Sequence, residues 1–448
     1  MQKPIAIFTL ALTLGLAVCL IVVQSFPLLH DFLEWMYQGW LFNQLIGESA
    51  ASVLSQFALA NYPVPNSLSQ VEIGLLNMLV SPVVSGKLWL GLYLALATAL
   101  WVVIYRRHGD AWQHLLLTSI ITFGPGFWNG YINFQLALLL FALYLVIDTA
   151  RSRRSLFLVL LFSVLLFFSH AAVFLVFALY CVVTILFDRS YALPRRLLHL
   201  GCLVPSAILL VWYATVLLSG YEANGDAGMS LLKWVQYKAY TLAKQGPFHN
   251  FILYNGESQL ERFDWFYKTG FVANFAFAGL LGLWLLTLLW SLVRGRLSLT
   301  ARYSMPLVPV GITLTACVLL YLLCGSNTLG VVNLGERFLI VALMMLLLLF
   351  KCPLYLQRAL GAIAGFFMVY LLLATAMLSG EKIQQYAVAR SSETNELSQY
   401  VDDIYANSRH QFFNHRVFIY ADRGLALLKP EPDILAIDLS TSIIQSKQ

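Results

Sequence analysis

The sequence predicts an all-α polytopic membrane protein, a bundle of about eleven transmembrane helices with juxtamembrane helices and a small C-terminal tail on its outer face. Three observations lead there. Of 448 residues, 60% are apolar and only 11% charged, with a positive mean hydropathy, a balance that excludes a soluble domain. Long apolar runs recur along the chain, bounded by Lys or Arg. The basic residues collect in short connections between those runs, as cytoplasmic loops require. The formal charge of +6 therefore reads as orientation in a bilayer, and nucleic acid is excluded as a partner because no clustered basic footprint exists.

The elements follow in order. The first apolar run, Ile5 to Val23, carries no small-residue cleavage site, and Leu16-Ala-Val-Cys19 puts Val where a lipoprotein signal needs a small residue, so this span is expected to stay as an anchor. Further spans are expected at Leu88 to Tyr105, Trp112 to Phe127, Ile132 to Ile147, Leu156 to Phe168, Ala171 to Phe187, Leu197 to Leu218, Gly270 to Val293, Met305 to Cys324, Phe338 to Phe350 and Leu360 to Leu378. This threading puts the N-terminus inside, with Lys3, Arg106, Arg107, Arg151, Arg153, Arg154, Arg189, Arg195, Arg196, Arg294, Arg296, Arg302, Lys351 and Arg358, against Asp110, Asp148 and Asp188. Leu156 to Phe168 and Phe338 to Phe350 fall short of the roughly 20 residues of a perpendicular span and are expected to be tilted or broken helices buried among neighbours. The six cysteines lie in or beside spans, a pattern that indicates neither a disulfide framework nor a zinc site.

The chain thus divides into a transmembrane domain, residues 1–379, and an outer tail, residues 380–448, with two outer loops at 24–87 and 219–269. In the first loop, Leu29, Phe32, Leu33, Met36 and Trp40 recur at helical spacing and are expected to face lipid, with Asp31, Glu34 and Gln38 on the opposite stripe. A second helix is expected to open with a capping box at Ser69-Gln-Val-Glu72. Reading it as a twelfth span would move every later basic cluster outside. The tail is expected to hold a polar helix around Ser391 to Ala406 and a strand at Arg416 to Tyr420.

Asp31 is the leading candidate for a catalytic base, since the first span delivers His30, Asp31 and Glu34 at its exit and a helix N-terminus keeps a carboxylate ionised. The competing role is a first-turn capping acid. Lys87, Arg262 and Arg337 are candidate cations, with snorkelling competing for Lys87 and a loop salt bridge for Arg262. His170 interrupts an apolar stretch and suits either a structural hydrogen bond or a site role, and Glu336-Arg337 opens an apolar span as an anchor or as a pair facing a cavity.

The order of these features resembles the GT-C superfamily of integral-membrane glycosyltransferases, in its uncharacterised bacterial branch. The resemblance rests on Pro27-Leu-Leu-His-Asp-Phe-Leu-Glu34, Tyr62-Pro-Val-Pro-Asn66, Lys87, Gly126-Phe-Trp-Asn-Gly-Tyr-Ile-Asn-Phe134, Phe167-Phe-Ser-His170 and Leu334-Gly-Glu-Arg-Phe338, and covers residues 1–350. It implies a bacterial inner-membrane enzyme moving a sugar from a polyprenyl-phosphate donor to a glycan, lipid or protein acceptor at the outer face, with inversion. His30, Glu34, Lys87, His170, Arg262, Glu336 and Arg337 are the expected substrate-binding residues around Asp31. There is no paired Asp-Asp or Glu-Asp at the first-loop position, so a divalent metal is not indicated as cofactor. The other classes are a transporter or lipid flippase, which the lack of Asp, Glu, Lys and Arg inside the spans disfavours, an O-antigen polymerase or ligase, which the modest second loop disfavours, and a noncatalytic scaffold.

Overall fold

The computed structural model describes residues 2–24, 27, 29, 31–48, 57–147, 155–187, 192–219, 230–249, 257–294, 307–325, 327–328, 331–391 and 442–446. Helix α1 (Gln2–Val18) widens into a π-turn over Cys19–Val23, followed by α2 (Phe32–Gly47), β1 (Phe57–Leu59), α3 (Leu68–Asn77), α4 (Pro82–His108) and α5 (Ala111–Leu116). A second π-turn, Leu117–Thr122, leads to α6 (Pro125–Trp128), α7 (Ile132–Ile147), α8 (Ser155–Ser169), α9 (Ala171–Phe187), α10 (Leu193–Gly201), α11 (Val204–Ser219) and α12 (Leu231–Lys244). The rest is α13 (Glu257–Val293), α14 (Leu307–Leu323), β2 (Asn327–Thr328), β3 (Val331–Val332), α15 (Leu334–Leu349), α16 (Leu354–Ser391) and β4 (Ile444–Ser446).

The architecture is mostly helical, as the composition predicts. Among the described residues, five helical segments are long and apolar enough to cross a membrane: Gln2–Val23, Pro82–His108, Leu193–Val216, Thr269–Val293 and Leu354–Ala376. Shorter apolar helices run over Ile132–Ile147, Leu156–Ser169, Ala171–Phe187 and Leu307–Leu323. The expected span from Trp112 to Phe127 is one helix only in part, because it passes through the π-turn and then breaks at Phe123 and Gly124 before α6. The span expected from Leu197 to Leu218 is likewise divided between α10 and α11. Helix α15 is sheathed by protein: Phe338 through Leu349 are all buried, as are Gly335 and Glu336. A 16-residue helix rises about 24 Å, short of a hydrocarbon core, and burial on every side is what lets it sit inside the bundle.

Two ends of the bundle can be distinguished by what meets there. At one, Gln2 Oε1 accepts from the Ala111 amide (2.7 Å), Gln357 Nε2 donates to Asp110 Oδ2 (2.5 Å), Arg107 Nη1 donates to the Val146 carbonyl (3.2 Å) and Trp284 Nε1 to the Lys351 carbonyl (3.1 Å). The basic residues Lys3, Arg106, Arg107, Lys351 and Arg358 flank these contacts in sequence, so the clustering read from the loops reappears as spatial clustering. At the other end lie the α2–α3 hairpin, the α6–α7 corner, the α8–α9 junction and the start of α15.

The hairpin differs from expectation in three ways. Leu29, Phe32 and Met36 are buried in the protein core and do not face lipid, because Trp89 and Gly86 of α4 cover that face: the Phe32 and Trp89 rings lie 6.2 Å apart. On the stripe expected to be polar, Gln38 is buried and accepts from Gln70 Nε2 at 2.5 Å, while Asp31 is half-buried. Finally, α3 begins at Leu68 without a capping box. The Ser69 amide donates to Asn133 Oδ1 of α7 (3.2 Å), while Glu72 accepts from Trp89 Nε1 (2.7 Å). At ten residues α3 is far too short to be a twelfth span. It packs closely on α2, and a Cβ on Gly39 would fall 2.6 Å from the Ile73 side chain.

Helix α16 continues without a break to Ser391, past the expected end of the last span. The helix expected around Ser391 to Ala406 and the strand at Arg416 to Tyr420 lie outside the described residues, apart from Ser391 itself. The end of the tail does appear, as β4 paired antiparallel to β1.

Candidate functional site

The site is built on a corner that the sequence makes from Gly126-Phe-Trp-Asn-Gly-Tyr-Ile-Asn-Phe134. Pro125 starts the short helix α6, Asn129 caps it, and Gly130 follows in the left-handed region at φ 75°. The Tyr131 amide returns to the Gly126 carbonyl at 2.9 Å, closing the turn. Gln135 holds the corner from α7: its amide donates to Tyr93 Oη and the Ile121 carbonyl and accepts from the Phe127 amide, each at 2.9 Å. The Asn129 carbonyl then accepts from the Asp31 amide at 3.0 Å, so Asp31 is seated on this corner at the N-cap of α2. Its carboxylate makes no side-chain capping bond to its own helix, which argues against a mere capping acid.

Around Tyr131 the charged groups converge. Its ring lies under the Arg337 guanidinium, 4.9 Å from the ring centroid, and Tyr131 also hydrogen-bonds Arg337 and Asn333. Burial raises the phenol above its ordinary value and the Asp31 charge adds to that, while Arg337 and Lys244 oppose it. Arg337 and Asp31 also feel each other's charge directly. On its other side, Arg337 Nη1 lies 2.6 Å from His170 Nε2. An arginine can only donate, so Nε2 is the acceptor and the imidazole is neutral with its proton on Nδ1. Burial, and then the Arg337 cation, push His170 well below the ordinary histidine value, in keeping with that tautomer. Phe134 packs edge-on against the imidazole at 5.1 Å.

A second cation stands beside this one. Lys244, the last residue of α12, pairs with Glu336 at 3.2 Å, and Gln245 Nε2 donates to the same carboxylate at 3.3 Å. Burial works against the Lys244 charge, but Glu336 more than compensates and the ammonium is held above its ordinary value. Glu336 sits in the first turn of α15, where the helix dipole favours an anion. Helix α12 is fastened by Lys238, which donates to the Tyr321 and Cys324 carbonyls at the end of α14 and lies over the Trp234 and Tyr321 rings at 4.5 and 4.7 Å.

Two buried donors in this cluster, Arg337 Nε and His170 Nδ1, have no hydrogen-bond partner among the described residues. Desolvated donors without acceptors are costly, more so on a cation, and an anion docked against Tyr131 and Arg337 would relieve that cost.

Of the residues singled out from sequence, Asp31, His170, Glu336 and Arg337 are brought together. Lys87 is engaged elsewhere, donating to the Gln24 carbonyl at 2.6 Å where the first helix ends. His30 and the side chains of Glu34 and Arg262 lie outside the described residues. Tyr131, Lys244, Gln245 and His249 were not singled out as site residues. Tyr131 lies within Gly126-Phe-Trp-Asn-Gly-Tyr-Ile-Asn-Phe134, but nothing in sequence separates it from other interfacial aromatics, and Lys244 carries no signal beyond its place in the second outer loop.

His249 is buried behind this cluster, pulled down to about 3 by burial first and by Lys244 second. The unfolded chain takes up that proton near the ordinary value of 6.5, the folded chain only near 3. Below pH 6.5 the unfolded state therefore binds more protons, and stability is lost as pH falls through that window, by at most about 1.4 kcal/mol per pH unit. Replacing His249 with Gln is expected to flatten the acid limb of a stability-versus-pH curve between pH 6.5 and about 4. An unchanged slope in urea melts across that range would remove His249 as its source.

Comparisons with protein-family models, with curated proteins and with solved structures each return no match.

Proposed function

We propose that this chain is a GT-C-type glycosyltransferase of the bacterial inner membrane, with about eleven membrane passes, its N-terminus cytoplasmic, and the Asp31 end of the bundle facing outward. Its donor is a polyprenyl-phosphate-linked sugar and its acceptor a hydroxyl. The observation that supports this reading best is the meeting of one carboxylate, Asp31, with Tyr131 and a half-buried cation, Arg337, whose buried Nε is left without an acceptor among the described residues, at the end of an apolar bundle opposite its basic loops.

In this reaction Asp31 takes the proton of the acceptor hydroxyl as its oxygen attacks the anomeric carbon. The bond from that carbon to the phosphate oxygen breaks with inversion, and the electron pair leaves on the lipid phosphate. Arg337 supplies charge-assisted donors to the departing phosphate, and Lys244 adds a second positive charge across Glu336. His170 holds Arg337 by accepting from one guanidinium nitrogen, and Tyr131 engages the same group, while Nε stays available. Lys87, anchored on Gln24, has a structural role in this account.

The test is transfer from a panel of polyprenyl-phosphate hexoses and pentoses by purified protein in proteoliposomes. Asp31→Asn keeps shape but cannot accept a proton, and is expected to lower turnover about 100-fold or more without loss of yield, with Glu34→Gln milder. Full turnover in Asp31→Asn would remove Asp31 as base. Binding of the donor by wild type without transfer to any acceptor would favour a flippase instead.

A further inference from the structure

The last described residues of the tail return to the hairpin that carries Asp31. β4 pairs antiparallel with β1, Ile444 opposite Leu59, Gln445 opposite Ala58 and Ser446 opposite Phe57. The ladder is extended by the Ala60 amide, which donates to the Ile443 carbonyl at 2.8 Å. The Ile443 amide in turn donates to Gln70 Oε1 at 3.0 Å, and the Gln70 amide reaches Gln38, so one side chain reads the tail backbone and ties it to both helices of the hairpin. Ile444 is fully buried in an apolar cluster with Tyr37, Leu41, Phe42 and Phe57. This cluster is separate from the main core of the bundle.

A three-residue, two-stranded ribbon is marginal alone, so the pairing depends on the pocket beneath it, and the pocket in turn lacks its central side chain without the tail. The tail segment comes fifty residues after the end of α16, so its contact with the hairpin is not imposed by the helix before it. We propose that β1, α2 and α3 form a strand-binding groove whose ligand is the chain's own C-terminal segment, Ser442–Ser446, and that this segment latches the hairpin and so steadies the Asp31 end of α2. Recognition is by backbone pairing along β1, one buried Ile and one Gln that reads the backbone, the chemistry of an extended apolar peptide. The latch does not depend on what reaction the site performs.

Hydrogen exchange on the full-length protein in nanodiscs tests it. Ile444→Asp is expected to speed exchange in residues 37–45 and 68–77 by about tenfold or more, leaving 132–147 unchanged, and a synthetic peptide of residues 439–448 is expected to restore protection. Unchanged exchange in the hairpin, or equal loss in 132–147, would overturn the latch. As a check that does not depend on destabilisation, Ala58→Cys with Gln445→Cys, in a background without native cysteines, is expected to cross-link within one chain under mild oxidation. Cross-linking only between chains would contradict an intramolecular ligand.

Discussion

Gly130→Ala is expected to be among the most damaging single-methyl changes at the Asp31 end, with a loss of about 3 kcal/mol or more and near-complete loss of function. Two independent terms add. The residue sits at φ 75°, where a Cβ costs about 1–2 kcal/mol. The added carbon would also fall 2.5 Å from the Asp31 nitrogen and 2.6 Å from that of Phe32, both backbone atoms that cannot swing aside. Relief requires α2 to move away from the Asn129 carbonyl, which displaces Asp31 from Tyr131. Gly130→Asn separates the terms, since asparagine tolerates the left-handed region yet carries the same Cβ. Both variants are expected to melt well below wild type. If Asn restores stability, backbone conformation alone explains the glycine and the seating of Asp31 is not its cause.

Glu336→Gln is the second large effect. The substitution keeps size and removes the charge that holds Lys244 protonated, leaving a partly buried ammonium beside Arg337. Breaking a buried pair from one side costs about 3 kcal/mol, discounted here from larger values because Lys244 keeps some exposure. Exchange protection along α12 is expected to fall with it, since Glu336 ties that helix to α15, alongside the Lys238 and Tyr321 contacts that tie it to α14. The double variant Glu336→Gln with Lys244→Met is expected to recover part of the loss. A single variant as stable as wild type would make the pair a surface contact of no consequence.

Much of this was legible in the sequence, and the reasons it stopped are physical. Composition and basic loops predict a helical membrane bundle because both are set by the solvent, not by contacts. Asp31, His170 and Glu336-Arg337 stood out because ionisable groups at the ends of apolar runs are expensive and so informative. What failed was anything decided by a neighbour distant in sequence. The apolar face of α2 has helical spacing whether it meets lipid or Trp89, so spacing alone points to lipid where protein lies. The Ser69 box was locally plausible but lost to Asn133, 64 residues away. Tyr131 carries no charge of its own, and its importance arises only from Arg337 above and Asp31 beside it. The latch strand is three residues with one buried Ile, below anything periodicity can detect.

The Arg337 end of this bundle is expected to bind a lipid-borne phosphate. The most direct measurement is retention of polyprenyl phosphate by the purified protein in native mass spectrometry, compared with the uncharged polyprenol of the same length. Wild type is expected to retain the phosphate at least about tenfold better than the alcohol, Arg337→Ala to lose that preference, and Arg337→Lys to keep only part of it because the planar multi-donor fork is gone. Equal retention of phosphate and alcohol by wild type, or a preference unchanged in Arg337→Ala, would contradict the phosphate site and with it the proposed reaction.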